Sequence, residues 1–105
     1  MAADYHAIRL HGYLGVERYP ELRALFSDLH GADPVLVDLR EASGADSVFL
    51  SELLLFRRRR SGPTAVLIPA TGNLAQIFTV VAMAEKMTVT DQLDAALRAL
   101  GVAPD

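Results

Sequence analysis

No cysteine occurs in the 105-residue chain, which excludes disulfides, thiolate zinc sites and cysteine nucleophiles together. Apolar runs of membrane-spanning length are lacking too. The longest mostly apolar stretches, Val48–Phe56 and Ile77–Ala84, fall well short of the roughly 20 residues a helix needs to cross a bilayer. No basic segment followed by an apolar one opens the sequence, so no export signal is expected, and the missing cysteines fit a reducing, cytoplasmic setting. Repeats, linkers and low-complexity segments are absent. His6, His11 and His30 fit no zinc spacing, the carboxylates show no pairing suited to glycosidic or metal chemistry, and no G-x-S-x-G elbow occurs. An enzyme or a small-ligand carrier therefore has no charged constellation to rest on, and no cofactor is expected.

What is present is a globular balance: 51% apolar residues, 22% charged residues and a net charge of -3. The length suits one core, so residues 1–105 are read as a single domain. "YHAIRLH", Tyr5 to His11, alternates loosely and predicts a strand near a sheet edge, broken by Gly12. In "PELRALFSDLHG", Leu22, Leu25, Phe26 and Leu29 recur at helical spacing, with Pro20 suited to the first turn, His30 to the carboxyl end and Gly31 to the position after it. "PVLVDL", Pro34 to Leu39, and "TAVLIP", Thr64 to Pro69, are short apolar runs of the kind buried on both faces of a parallel sheet.

Ser47 to Arg60 predicts a second helix, ended by "SGPT". Asn73 can cap a third helix with Leu74, Ile77, Phe78 and Val81 inward. "MTVT", Met87 to Thr90, is a brief strand. Asp91 opens a last helix with Leu93, Ala96, Leu97 and Leu100 on one face. Fourfold alternation of strand and helix with short connections predicts an α/β domain, with a mostly parallel sheet of four or five strands and about four helices.

In such sheets function gathers where strands end and helices begin, and "GADS", Gly44 to Ser47, is such a place. Asp46 and Ser47 are both strong N-cap residues, so the plainest reading is a helix cap. The second reading makes the Ser47 hydroxyl a phosphoacceptor for another enzyme, since a helix start tolerates the added charge of about -2. Arg57 to Arg60 spread around the helix axis and complement the negative end of its dipole, which argues against a nucleic-acid groove. The same helix is too apolar for one buried stripe. With Leu50 at the centre of the inner face, Val48 and Leu55 point nearly opposite, and Phe49 and Phe56 lie on the flank. Either neighbouring helices cover these residues or a partner chain does.

Three segments together resemble the STAS domain of bacterial anti-sigma-factor antagonists: "RLHGYL", "PVLVDLREASGADSVFLSELL" and "LAQIFTVVAMAEKMTVTDQLDAAL". The resemblance covers nearly the whole chain and implies a STAS-like fold and a regulator without catalysis of its own. It implies a partner, an anti-sigma factor that is a serine kinase of the HATPase type, which the unphosphorylated domain sequesters. Ser47 matches the family's phosphoacceptor, and Asp46 matches the acid before it. Asp46, Ser47, Val48, Phe49, Ser51, Glu52 and Leu55 are the expected partner-binding residues, with no role for nucleic acid or membrane insertion and with a homodimer left open. Val48 and Phe49 stand where the family has a small residue and a glycine. Ala82 stands at a common family glycine, tolerable if the backbone stays helical there. The alternative is a STAS subunit that is never phosphorylated and sits in a larger assembly, such as a stressosome-like particle or the ATPase of a lipid ABC transporter.

Overall fold

The computed structural model describes residues 5–29 and 31–102. Strand β1 spans His6–Leu14, α1 Tyr19–Asp28, β2 Val35–Ala45, α2 Ser47–Arg59, β3 Thr64–Leu67, α3 Asn73–Val80, β4 Thr88–Thr90 and α4 Leu93–Ala99. Short 3-10 turns at Val16–Arg18 and Met83–Glu85 precede α1 and follow α3. The four strands lie in the order β1-β2-β3-β4 and every pairing is parallel. The α/β class, the parallel sheet and the four helices agree with the sequence pattern, and β1 is an edge strand.

Each new strand is added on the same side of its predecessor. Right-handed crossovers then require α1, α2 and α3 to share one face of the sheet. The packing follows: Ile8, Leu10, Val35, Val37, Leu39 and Val66 meet Leu22 and Phe26 of α1, Leu50 and Leu53 of α2, and Leu74 and Phe78 of α3 in one cluster. On the other face Leu36, Ala65 and Leu67 meet Ala96, Leu97, Leu100 and Val102 in a smaller cluster. Asp38 also belongs to β2 and is buried there because Arg40 clamps it through both oxygens, at 3.0 and 2.9 Å, with Arg9 at 3.7 Å. The Arg40 hydrogen bonds hold the Asp38 carboxyl below the ordinary range against the opposing effect of burial.

Several boundaries differ from the sequence expectations. Strand β1 does not stop at Gly12 but passes through it at a φ of +76° and runs to Leu14. Strand β2 does not end at Leu39 but continues to Ala45, with register shifts that place extra residues on β2 opposite Arg9–His11 and Gly12–Tyr13. Bulges of this kind interrupt the period-two pattern by which a strand is recognised. Gly72, not Asn73, is the N-cap of α3, without a side-chain bond, and Gln92, not Asp91, precedes α4. Leu93 is 39% exposed and not part of the inner face. The expectation for His30 lies outside the described residues. Ala82 does not continue the helix: it takes a left-handed conformation, φ 55° and ψ 43°, and its N–H closes the end of α3 on the Thr79 carbonyl at 3.1 Å.

Candidate functional site

The carboxyl end of β2 delivers the chain directly into α2. Asp46 is the N-cap: its backbone is extended, and Oδ1 accepts the Phe49 N–H at 2.9 Å. Its own N–H donates to the Leu14 carbonyl at 3.1 Å, so the start of α2 is tied to the end of β1. Ser47 is the first residue of the helix and is exposed. Of the two capping candidates Asp46 holds the cap, which leaves the Ser47 hydroxyl at the surface. The Ser51 hydroxyl, one turn on, donates to the Ser47 carbonyl at 3.1 Å.

Phe49 corrects the sequence reading. Its ring is fully buried and packs near Phe26 of α1 at a centroid distance of 6.5 Å, so it presents no surface to a partner and does not stand over Ser47. Phe56 is also buried, stacked on Phe26 at 4.6 Å. Helix α1 covers the flank of α2 that the sequence pattern left open. Val48 and Leu55 remain 42% and 37% exposed. The expected partner-binding residues thus divide by position: Asp46, Ser47, Val48 and Ser51 at the amino end, Glu52 and Leu55 beside α1, and Phe49 in the core.

Sequence reasoning missed the cavity that Asp46 borders. Tyr13 and Val16 are 58% and 64% exposed, and with Gly15, Arg18 and Asp46 they border a cavity of about 400 Å³ at the start of α2. The Tyr13 ring lies against Gly15 and Gly44, where an added Cβ would come within 2.7 and 3.3 Å of it. An aromatic between Gly12 and Gly15 was the available signal. Nearby, the Tyr19 hydroxyl is buried without a hydrogen-bond partner among the described residues. Burial, then the carboxylates of Asp46 and Glu52, push its pKa up, while Arg23 opposes them.

The four arginines also part company. Arg57, Arg58 and Arg59 are exposed in the last turn of α2. Arg60 is the C-cap and is buried: its guanidinium donates to the carbonyls of Leu29 and Asp33 and, at 3.0 Å, to the Thr64 hydroxyl, and it lies over the Phe56 ring. Desolvation lowers its pKa, and the charge of Asp33 opposes the shift. The N–H groups of Ser61 and Gly62 both reach the Gly31 carbonyl at 3.1 Å. A Cβ on Gly62 would lie 2.1 Å from the Ala32 carbonyl oxygen, so the turn after α2 is a close backbone contact that only glycine allows.

No helix among the described residues is long and apolar enough to cross a membrane. Neither the protein-family models nor the curated proteins compared with the chain give a match.

Proposed function

We propose that the chain is a non-catalytic regulatory binding domain of the kind it resembles, an anti-sigma-factor antagonist. It holds a serine-kinase anti-sigma factor of the HATPase type through the start of α2, in the cytoplasm and without nucleic acid. Phosphorylation of Ser47 is the off-switch. The observation that carries the reading is the exposed Ser47 at the first position of α2, relieved of capping by Asp46 and followed by the exposed Val48, with the exposed Tyr13 and Val16 lining a cavity that Asp46 borders. Burial of Phe49 leaves the approach to that hydroxyl open.

The physics of the switch follows from its position. A phosphate of charge about -2 at a helix start meets the positive end of the dipole, so the fold tolerates it. Within an apolar docking patch and next to the Asp46 carboxylate, the same charge costs desolvation and repulsion, so binding is lost while the domain survives. Pull-down of the cognate kinase by wild type, Ser47→Ala and Ser47→Asp tests this. The expected result is retention by the first two and at least a tenfold loss, about 1.4 kcal/mol, for Ser47→Asp. Equal binding by all three sinks the switch.

The exposure of Val48 and Leu55 favours a second reading, in which the domain is a fixed subunit of a stressosome-like particle or a partner of a transporter ATPase. Permanent interfaces are more apolar than reversible ones. Size-exclusion chromatography at high concentration tests its self-assembling form: a dimer or larger species supports self-assembly, and a clean monomer counts against it but not against a separate ATPase partner.

A further inference from the structure

Besides the start of α2, a charged groove lies where α1 and α2 run side by side. On α2, Glu52, Leu55, Phe56 and Arg59 follow one another at i, i+3, i+4 and i+7, and on α1, Arg23, Phe26 and Ser27 do so at i, i+3 and i+4, so each helix turns one face to the other. Between them lies a cavity of about 560 Å³, which Arg60 also borders. Its floor is apolar: Phe26 and Phe56 lie stacked beneath it, and Leu55 stands 37% exposed at its edge.

The charge around this groove is one-sided. Arg23, Arg59 and Arg60 line it, three cations in a molecule of net charge -3. Glu52 is the lining carboxylate, and Arg23 already pairs with it at 3.2 Å. Arg60 donates to neutral oxygens of Leu29, Asp33 and Thr64. The negative carboxyl end of the α2 dipole offsets part of this charge and not all of it, being worth about half an elementary charge.

We infer that this groove is a docking site for an acidic amphipathic helix of a partner protein, which sets an apolar side chain against the exposed Leu55 and carboxylates against Arg23 and Arg59. Two parallel or antiparallel helices with an apolar seam between them are the usual bed for a third. Charge complementarity selects the occupant, because a neutral or basic helix leaves Arg59 and its neighbours facing nothing or a like charge. Nucleic acid fits less well: the two rings are buried at 7% and 3% exposure and offer no face on which a base can stack. The site does not depend on the Ser47 reading. Leu55 and Arg59 lie eight and twelve positions beyond Ser47, about 12 and 18 Å along the helix at 1.5 Å per residue, so the residues that meet the partner lie past the screening length of about 8 to 10 Å for the charge on Ser47.

The test is selection of a random 16-residue peptide display library on the immobilised full chain, with counter-selection on the double variant Arg23→Glu/Arg59→Glu after its thermal melt is shown to match wild type. If the double variant does not melt like wild type, Leu55→Ser replaces it, since that exchange alters an exposed side chain. The expected winners carry two or more Asp or Glu around a Leu, Phe or Met, bind Ser47→Asp as well as wild type, and lose at least tenfold on the groove variant. Winners without acidic residues, winners indifferent to the groove variant, or no enrichment at all overturn the assignment. So does tighter binding of a single-stranded 12-mer oligonucleotide than of the selected peptide.

Discussion

The side-chain cap on the first turn of α2 comes from a sequence neighbour, with one backbone bond tying it to the end of β1, whereas the side chain that closes its last turn clasps residues far away in the chain. Asp46 caps Phe49, three positions on, while Arg60 reaches the carbonyls of Asp33 and Leu29 across 27 and 31 positions. A local cap keeps the helix start intact while leaving its outer surface free, as the proposed switch at Ser47 requires. The distant clasp does the opposite: it joins the ends of α1 and α2 to the start of β3, so no part of it can change without disturbing the others. One end carries a local cap beneath an exposed surface, and the other a buried clasp.

Substitutions on either end sharpen or break that contrast. The largest effect is expected from Phe49→Gly, which restores the residue of the resembled family: emptying a fully buried phenyl site and adding a helical glycine costs about 5 kcal/mol, enough to leave little folded protein. A denaturation midpoint near that of wild type would mean that the ring is at the surface after all. Arg60→Ala comes next. It orphans two carbonyls and a hydroxyl, and a loss of about 3 kcal/mol is expected in urea denaturation, with Arg60→Lys recovering only part of it because an ammonium lacks the fork geometry.

Asp46→Ala removes one cap bond and is expected to cost about 1 kcal/mol, so a loss as large as that of Arg60→Ala would erase the distinction between the two ends. The smallest effect has the opposite sign. Ala82→Gly relieves a left-handed alanine at a position where the family has glycine, and the relief exceeds the added freedom of the unfolded chain by about 0.5 kcal/mol, visible as a small rise in Tm.

The same contrast explains which features could be read from the residues alone. Asp46 and Ser47 announce a helix start because a cap acts across three residues, and the apolar runs around Val35–Leu39 and Thr64–Leu67 announce buried parallel strands. Arg60 sits in a run of four identical residues, and nothing local separates it from Arg59; its role depends on where α1 ends in space. Phe49 was placed on the flank of α2 correctly by angle, but whether a flank is covered depends on the neighbouring helix, and here Phe26 covers it. Strands β1 and β2 were read short because their bulged halves lose the alternation. Whether the backbone stays helical at Ala82 is not written in the residue, since alanine favours helices and the turn back toward β4 imposes the left-handed conformation there.

The proposed switch requires that Ser47, and no neighbouring hydroxyl, be the residue a partner kinase modifies. Incubation of the domain with its cognate anti-sigma-factor kinase and ATP, followed by phosphopeptide mass spectrometry, tests it most directly. Phosphate on Ser47, abolished by Ser47→Ala and reduced at least tenfold by Tyr13→Ala through the adjoining patch, is the predicted result. Phosphate on Ser43 or Ser51, or none under conditions where the kinase binds the domain, contradicts it.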